Sequence, residues 1–570
     1  MAILIANLGT SDLAIQLPIQ GRHYYLPIDF IPNEANINKK LAKLPPNLKE
    51  IWHNQRGYIE QTLYEELGLP IGVKQPTRKF TQVLLDRYRQ NSSDWHPRLK
   101  PVRLWGAIQK SISLGVNKAY LFVTNQESLE MPDGHDKDTI YLYSILEKWL
   151  KEEKLNFQLE KKVIPADVIG NELEPMLRYY YKAIAEITHA EKFNQAQLND
   201  DLALISIKGG TGAMQTALQI QAIDSSFSKI VFIDPDLSLE KILYGQPSEC
   251  QLTLYWRHLR SQRYRTVQQL LNRCDFDGAI QLLRDWQTML ASLPEGVVDR
   301  QSILSSNHVV EQVIKILTLA VYYLNLDSLG AKNLIKSSKA LNEFENFLTN
   351  YDKLLNLYTQ CRIYWQLNQI ANFLARLGSF SEESLHYLIT HLGGLKYFDK
   401  LNYPDNWYLD KSKVEPTLWR YFERSEGQKC NAKQKYRLPG RFSKWNFVSA
   451  LIQYRDKIKE KDAWEKITNS LDKLDYWIEQ RNYLIHSATG ISQESMYKAL
   501  ERDKNNSGVR DYVAKACEPD QILAEITNIS NQMFQILNKP VNKYIGLNDT
   551  PYYIYSDVTK LVVQKLMEDE

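Results

Sequence analysis

Arg481 and His486 stand five positions apart in the run EQRNYLIHSATG, residues 479–490. Arginine stays charged and can grip two phosphate oxygens, while histidine titrates near neutrality and can take or give a proton. Such a pair suits cleavage of RNA by its own 2′-hydroxyl. That reaction needs a proton removed from the hydroxyl, a proton supplied to the 5′-oxygen, and positive charge beside the phosphorane. It calls for no metal. Five positions along a helix turn the chain about 140° and advance it about 7.5 Å, so a long guanidinium can lean back towards the imidazole. With 25 arginines and 10 histidines, an arginine and a histidine separated by four to six residues arise by chance roughly once in this chain. A second instance exists, Arg89 to His96 in RQNSSDWH. It crosses a Ser-Ser-Asp break that ends a helix, whereas Arg481 to His486 closes the amphipathic run AWEKITNSLDKLDYWIEQ. A surface arginine followed by a histidine at a helix C-terminus would read the same way.

The elements that must carry this chemistry change character partway along the chain. Up to about residue 240, strand-like runs alternate with helical ones: ILIANL (3–8), KAYLFVT (118–124), FQLEKKVI (157–164), LALISI (202–207) and KIVFID (229–234). Between them, IYLYSILEKWLKEE (140–153) and ELEPMLRYYYKAIAEIT (172–188) have apolar residues at helical spacing. Strand and helix in alternation predict a doubly wound α/β domain with buried parallel strands. From about 250 the pattern turns helical, with LRSQRYRTVQQLLNRCDFDGAIQLLRDW as a hairpin turned at Asp275 to Gly278. The Pro- and Gly-containing stretch at 402–441 interrupts it. That stretch reads as a packed surface excursion whose aromatic and basic residues could touch RNA.

Composition bounds the rest. At 570 residues and 44% apolar the chain is too long for one core, and 70 basic against 67 acidic side chains leave a charge of +3, so any RNA site is a local patch. Cys250, Cys274, Cys361, Cys430 and Cys517 are odd in number and contain no CxxC pair, which points away from zinc and from a disulfide framework. MAILIANLGTS lacks a basic n-region and ILTLAVYYL (316–324) is too short for a bilayer, so the expectation is a cytoplasmic chain with no membrane segment.

In an open α/β sheet, ligands bind beyond the carboxyl ends of the strands. ILIANL runs into Gly9-Thr10-Ser11-Asp12, YLFVT into Asn125-Gln126, and LALISI into Lys208-Gly209-Gly210-Thr211-Gly212 ahead of the helix AMQTALQIQAI. Glycines between strand and helix let backbone N–H groups approach a phosphate at the positive helix end. This is not a Walker A loop, since no GK[ST] follows, nor a full GxGxxG, since Ala213, Met214 and Gln215 follow Gly212. An ordinary tight turn would use the same glycines, and helix N-capping the same Thr10 and Ser11.

Strand then LGTS, strand then TNQ, HDKDT opening a helix, and strand then GGTGAM together resemble a CARF domain. CARF domains are Rossmann-like modules that sense cyclic oligoadenylates in type III CRISPR defence, and the resemblance covers about residues 1–240. It implies that Gly9, Thr10, Ser11, Thr124, Asn125, Gln126, Asp138, Thr139, Lys208, Gly209, Gly210, Thr211, Gly212 and Met214 surround the cyclic nucleotide, with the loop histidine His135 a lesser candidate. With that domain upstream, RNYLIH resembles the motif of HEPN ribonucleases, in which a polar residue often follows the arginine. The resemblance implies Arg481, Asn482 and His486 as the catalytic set.

One chain supplies one arginine and one histidine, so a two-fold pair of helices makes the more competent site, and a homodimer is expected. An even-membered ring can lie across the same axis. The domains expected are a CARF domain at 1–245, a helical connector at 246–340 and a HEPN domain at 341–570. The activity expected is metal-independent cleavage of single-stranded RNA, without a cofactor, switched on by cyclic tetra- or hexa-adenylate. Ser11, Thr10 and Lys208 would suffice for slow cleavage of the ring, and equally for binding alone. Two rivals stand: a CARF-type sensor whose helical half is a non-catalytic interaction domain, and a nucleotide-dependent oxidoreductase. The latter is disfavoured because GGTG falls late and no acidic ribose partner follows at the usual spacing.

Overall fold

β1 (Ala2–Asn7) is apolar on both faces because it lies mid-sheet: Leu4 and Ala6 enter one core, Ile3 and Ile5 the other. These coordinates are a computed structural model that describes residues 2–29, 41–191, 202–227, 229–236, 238–293, 297, 300–345, 351–398, 407–427, 434–438, 440–455, 461–487, 491–506, 511–537, 542–547 and 549–569. The chain divides into two compact units, Met1–Arg263 with Arg284–Asn307, and Tyr264–Leu283 with His308–Glu570.

In the first unit β1 is followed by β2 (Ala14–Ile19), β3 (Arg22–Pro27), β4 (Leu99–Lys100), β5 (Lys118–Thr124), β6 (Gln158–Ile164), β7 (Leu202–Ser206), β8 (Lys229–Asp236) and β9 (Glu249–Thr253). The main sheet has the order β6-β5-β1-β7-β8-β9, parallel except for β9, which runs antiparallel to β8. The chain first winds outward from β1 through β5 to β6, then returns to the other side of β1 as β7. The crevice for a ligand therefore opens at the carboxyl ends of β1 and β7. One face is covered by α1 (Thr77–Gln90), α2 (Val102–Ser113) and α3 (Ile140–Glu152), the other by α4 (Leu173–Ala190) and α5 (Gly212–Ile223).

The five strands and two helices read from apolar spacing fall where expected. β2 and β3 were not foreseen. They form a hairpin turned by Gln20 and Gly21, both left-handed at φ 51° and 74°, and pair with β4 in a separate three-stranded sheet. β9 extends the sheet past the expected limit at 245, as a half-exposed antiparallel strand at the edge of β8.

Helices α6 (Trp256–Asn272) and α7 (Phe276–Ala291) make the foreseen hairpin, with Gly278 N–H donating to Asp275 Oδ1 at 2.9 Å. The second unit goes on through α8 (Arg300–Leu324), whose first residues belong to the first unit, to α9 (Lys353–Gln366) and α10 (Ile370–His391). Tyr323 O accepts from Asn356 Nδ2 and Gln360 Nε2, so residues assigned to a connector are part of this helical core. Within 402–441, residues 402–406, 428–433 and 439 lie outside the described ones. α11 (Pro416–Glu426) buries Leu418, Trp419 and Phe422 beside the short pair β10 (Tyr408–Asp410) and β11 (Lys435–Arg437). α12 (Arg441–Tyr454), α13 (Lys461–Ser487), α14 (Ile522–Ile536) and α15 (Tyr555–Asp569) complete the unit. Among the described residues no helix is long and apolar enough to cross a membrane.

Candidate functional sites

At the crevice, the loops after β1 and β7 touch. A Cβ on Gly9 would stand 3.1 Å from Gly209 Cα, and one on Gly209 would stand 2.5 Å from Asn7 O. Gly209 and Gly210 are both left-handed, at φ 113° and 70°, so only glycine fits this double turn without strain. The loop after β1 is pinned from below by a buried ion pair. Asp12, fully buried, receives Arg103 at both oxygens, and Gly9 N–H donates to Asp12 Oδ2 at 2.7 Å. Thr10 and Ser11 lie inside one 3-10 turn whose N-cap is Gly9, so neither of them is a helix N-cap. The Thr10 hydroxyl donates to Asp29 Oδ2 at 2.6 Å, and Lys74 holds the other oxygen of Asp29.

After β7, Lys208 Nζ pairs with Asp234 at 2.5 Å and donates to Pro235 O at 3.0 Å. Thr211 caps α5, accepting from Met214 N–H at 3.2 Å, while its own hydroxyl donates to Gly170 O. Gly212 begins α5. Met214 is only 1% exposed and lies against Gly210, whose Cβ would meet its Cε at 2.7 Å. It supports the loop from within the core, because the third position of α5 faces the sheet.

The loop after β5 is organised by Asp138, 1% exposed. Its Oδ2 accepts from Arg78 Nη1 (2.8 Å), Gln126 N–H (2.9 Å) and His135 N–H (3.0 Å). Arg78 also donates to Asn125 Oδ1 at 2.7 Å and to Glu127. Thr124 and Thr139 exchange backbone and hydroxyl bonds at 3.0 and 3.1 Å, so Thr139 closes the loop and makes no side-chain cap for α3. Gln126 Nε2 reaches Val168 O at 3.4 Å. Asp138, Thr139 and Met214 are thus buried supports, while Thr10, Ser11, Asn125, Gln126, Lys208 and Thr211 are half-buried and Gly210 and Gly212 exposed.

Arg78, Arg103, Asp12, Asp29 and Asn7 belong to this edge and had no sequence signal, since their partners lie up to 173 residues away. Asn7 is fully buried. Its Oδ1 accepts from Tyr180, and its Nδ2 has no hydrogen-bond partner.

In the helical unit, Arg481 and His486 lie on one uninterrupted helix, α13. The side chains of residues 482–487, Asn482 and His486 included, lie outside the described ones. α13 is anchored just before that segment: Trp477 Nε1 donates to Cys517 O, and Tyr476 and Gln480 both donate to Asp503. Arg481 extends over α10 at Gly378, where an added Cβ would stand 3.0 Å from its Nη1. Its Nε is buried and has no hydrogen-bond partner among the described residues. Arg441 pairs with Asp475 and, at 3.2 Å, with Glu479, on the helix that carries Arg481.

The other arginine and histidine are placed quite differently. α1 stops at Gln90, and Arg89 is an exposed partner of Asp86 at 3.7 Å. His96 is stacked between Tyr88 and Trp149, with its Nδ1 3.0 Å from Glu152. That histidine is a structural joint.

Fold and site define a doubly wound α/β unit with a glycine-bounded crevice, joined in one chain to a helical unit that presents an arginine with a buried, unbonded N–H. No protein-family model matches the sequence, and no curated protein matches it. Among solved structures the chain is similar to that of Enterococcus italicus Csm6 bound to cyclic hexa-2′-fluoro-hexa-dAMP. The identity is 14% and the TM-score 0.46, over 79% of this chain and 92% of that one. A likeness of that strength does not carry a function from one protein to the other.

Proposed function

We propose that the chain is a CARF–HEPN ribonuclease of type III CRISPR defence, which binds cyclic oligoadenylate in its first unit and cleaves single-stranded RNA in its second. The observation that carries the reading is Arg481: a guanidinium seated against a glycine, with a buried Nε that no group among the described residues satisfies, one turn and a half ahead of a histidine on the same helix. An unsatisfied buried N–H costs about 1–3 kcal/mol. A phosphate oxygen would supply its acceptor.

In this mechanism Arg481 holds the scissile phosphate and offsets the charge of the phosphorane. His486 removes the proton from the 2′-hydroxyl or supplies one to the 5′-oxygen, and His486 of a second copy does the other. Asn482 holds a phosphate oxygen or orients the ribose. A homodimer therefore completes the site, and the chemistry proceeds without metal. In the first unit, the N–H groups of Gly209 to Gly212 and the start of α5 cradle a phosphate of the ring. Asn125 and Gln126 read its bases or ribose across the crevice, and Lys208, Thr10 and Ser11 act slowly on a ring 2′-hydroxyl.

The test is cleavage of single-stranded RNA in EDTA with cyclic tetra- or hexa-adenylate present. Arg481→Ala and His486→Ala should each lower the rate by more than a hundredfold with unchanged activator affinity, and Arg89→Ala should leave it unchanged. Full activity in either of the first two variants would overturn the reading.

A further inference from the structure

The chain turns from α6 into α7 at residues 273–275 and from α9 into α10 at residues 367–369, with Cys274 and Asn368 both left-handed at φ 53° and 55°. Together with Leu324 at the end of α8, these turns line a cavity of about 180 Å³ that lies wholly in the second unit. It is too small for a drug-sized ligand, which takes about 300 Å³ or more, but about 150 Å³ already admits benzene, so one planar ring fits. Arg273, Asp275 and Gln369 stand exposed around it, while Leu324, Tyr364 and Leu367 are half-buried. Asp275 Oδ1 accepts from Gly278 N–H, and Gln369 Oε1 accepts from Asn372 at 3.0 Å. Among the described residues the other oxygen of Asp275 and Nε2 of Gln369 have no hydrogen-bond partner, and Arg273 has no ion pair. The cavity continues onto a basic face. α6 holds four arginines and a histidine and no carboxylate. Arg265 and Gln269, four apart in the part of α6 that belongs to the second unit, lead along one exposed face to Arg273 just past its end, a row about 12 Å long. Arg265, too, has no ion pair among the described residues. In a chain of net charge +3, such a row is the local patch that RNA requires.

We propose that the cavity is an exosite for single-stranded RNA, which takes in one base while the neighbouring phosphates lie along Arg265 and Arg273. The proposal rests on the RNA-cleaving reading and gives the substrate a second hold, separate from Arg481. Asp275 repels a phosphate from the cavity itself, so the backbone stays on the arginine row and the base enters. Tyr364 supplies an aromatic wall, the part of single-strand binding that tolerates any base. The free oxygen of Asp275 accepts from an exocyclic amine, and Gln369 Nε2 donates to a ring nitrogen. Adenine and cytosine offer that amine and that acceptor side by side, whereas uracil offers neither.

The experiment measures binding of fluorescent oligocytidylate and oligouridylate to the full chain carrying His486→Ala, so that nothing is cut. Oligocytidylate should bind more tightly. Leu367→Trp, which fills the cavity, and Arg273→Ala, at an exposed position, should each weaken it about tenfold. Asp275→Asn keeps a capping side chain ahead of α7 and should erase the preference over oligouridylate. Arg265→Ala and Arg273→Ala should each flatten the slope of log affinity against log salt by about 0.7, the loss of one phosphate contact, which a purely structural role would not move. Unchanged affinity and slope in Arg273→Ala, where the parent protein binds oligocytidylate, overturns the exosite and leaves the ribonuclease reading intact. Cytidine monophosphate bound as tightly as the oligonucleotide overturns the strand and assigns the cavity to a free nucleotide. No RNA binding by the parent, beside no RNA cleavage by the unaltered protein, overturns the reading beneath it.

Discussion

Arg89 and Arg481 differ in what the fold does with the same side chain. The first makes an exposed pair with Asp86, worth at most about 1 kcal/mol, and its histidine is a half-buried joint. The second is held with an unbonded Nε against Gly378. Replacing that glycine separates stability from activity. Glycine in a helix interior costs about 1 kcal/mol relative to alanine, so Gly378→Ala should hold or raise the melting temperature. Its Cβ would press Arg481 out by a few tenths of an ångström, so RNA cleavage should fall by about tenfold. A variant more stable and equally active would show that the seat does not position the guanidinium. The helical setting of Arg481 and His486 was legible in the sequence because their spacing ends an amphipathic run. Gly378 was not, since nothing local separates a glycine that receives a distant arginine from any other helical glycine.

The elements that bring the crevice together were legible wherever an apolar run is continuous. β1, β5, β7 and β8 were found because buried parallel strands leave no polar alternation to misread, whereas β6 is a half-exposed edge strand with apolar residues only at intervals. β2 and β3 were missed because the Gln20-Gly21 turn carries only a weak hairpin signal, and β9 because an edge strand is short and half polar. Asp138 was legible as a helix start but acts as the hub of the loop after β5. Asp138→Ala should cost about 3 kcal/mol, by stranding Arg78 and two backbone N–H groups, and should raise the activator concentration at half-maximal rate. Thermal unfolding with a titration of activator measures both, and an unchanged midpoint would remove this loop from the sensor.

In the helical unit, α10 brings a second dependence, on pH. Burial pushes Glu382 up, but the Lys444 ammonium outweighs it and holds the carboxyl below its ordinary range. Glu383 is likewise raised by burial and lowered further by His386 and Lys353. Carboxyls depressed in the fold contribute stability above their unfolded value near 4.5 and lose it as pH falls through the folded ones. Tryptophan fluorescence should therefore show flat stability from pH 7 to about 5 and a fall below that. Lys444→Met should lower stability at pH 7 and flatten the acid limb. An acid limb unchanged by that substitution would contradict the assignment.

In the proposed function a crevice that binds a cyclic nucleotide stands in one chain with a helix that cleaves RNA, and the proposal requires that the first control the second. A ligand shifts a dimer between two arrangements only as far as it binds one better than the other, so activation should saturate with crevice occupancy. Thr211→Asp, which sets a charge at the start of α5 against the phosphate, should weaken that occupancy without altering the maximal rate. The ring itself should shorten slowly on a His486→Ala protein, followed by chromatography, if Thr10, Ser11 and Lys208 act on it. An intact ring after many hours would make the unit a sensor alone. The most direct test of the account is the rate of single-stranded RNA cleavage in EDTA by the full chain, measured against rising cyclic tetra- and hexa-adenylate. The expected result is a low basal rate that rises at least tenfold to a plateau with one of the two rings and is abolished by His486→Ala. A rate that neither ring changes, or that survives in His486→Ala, would contradict it.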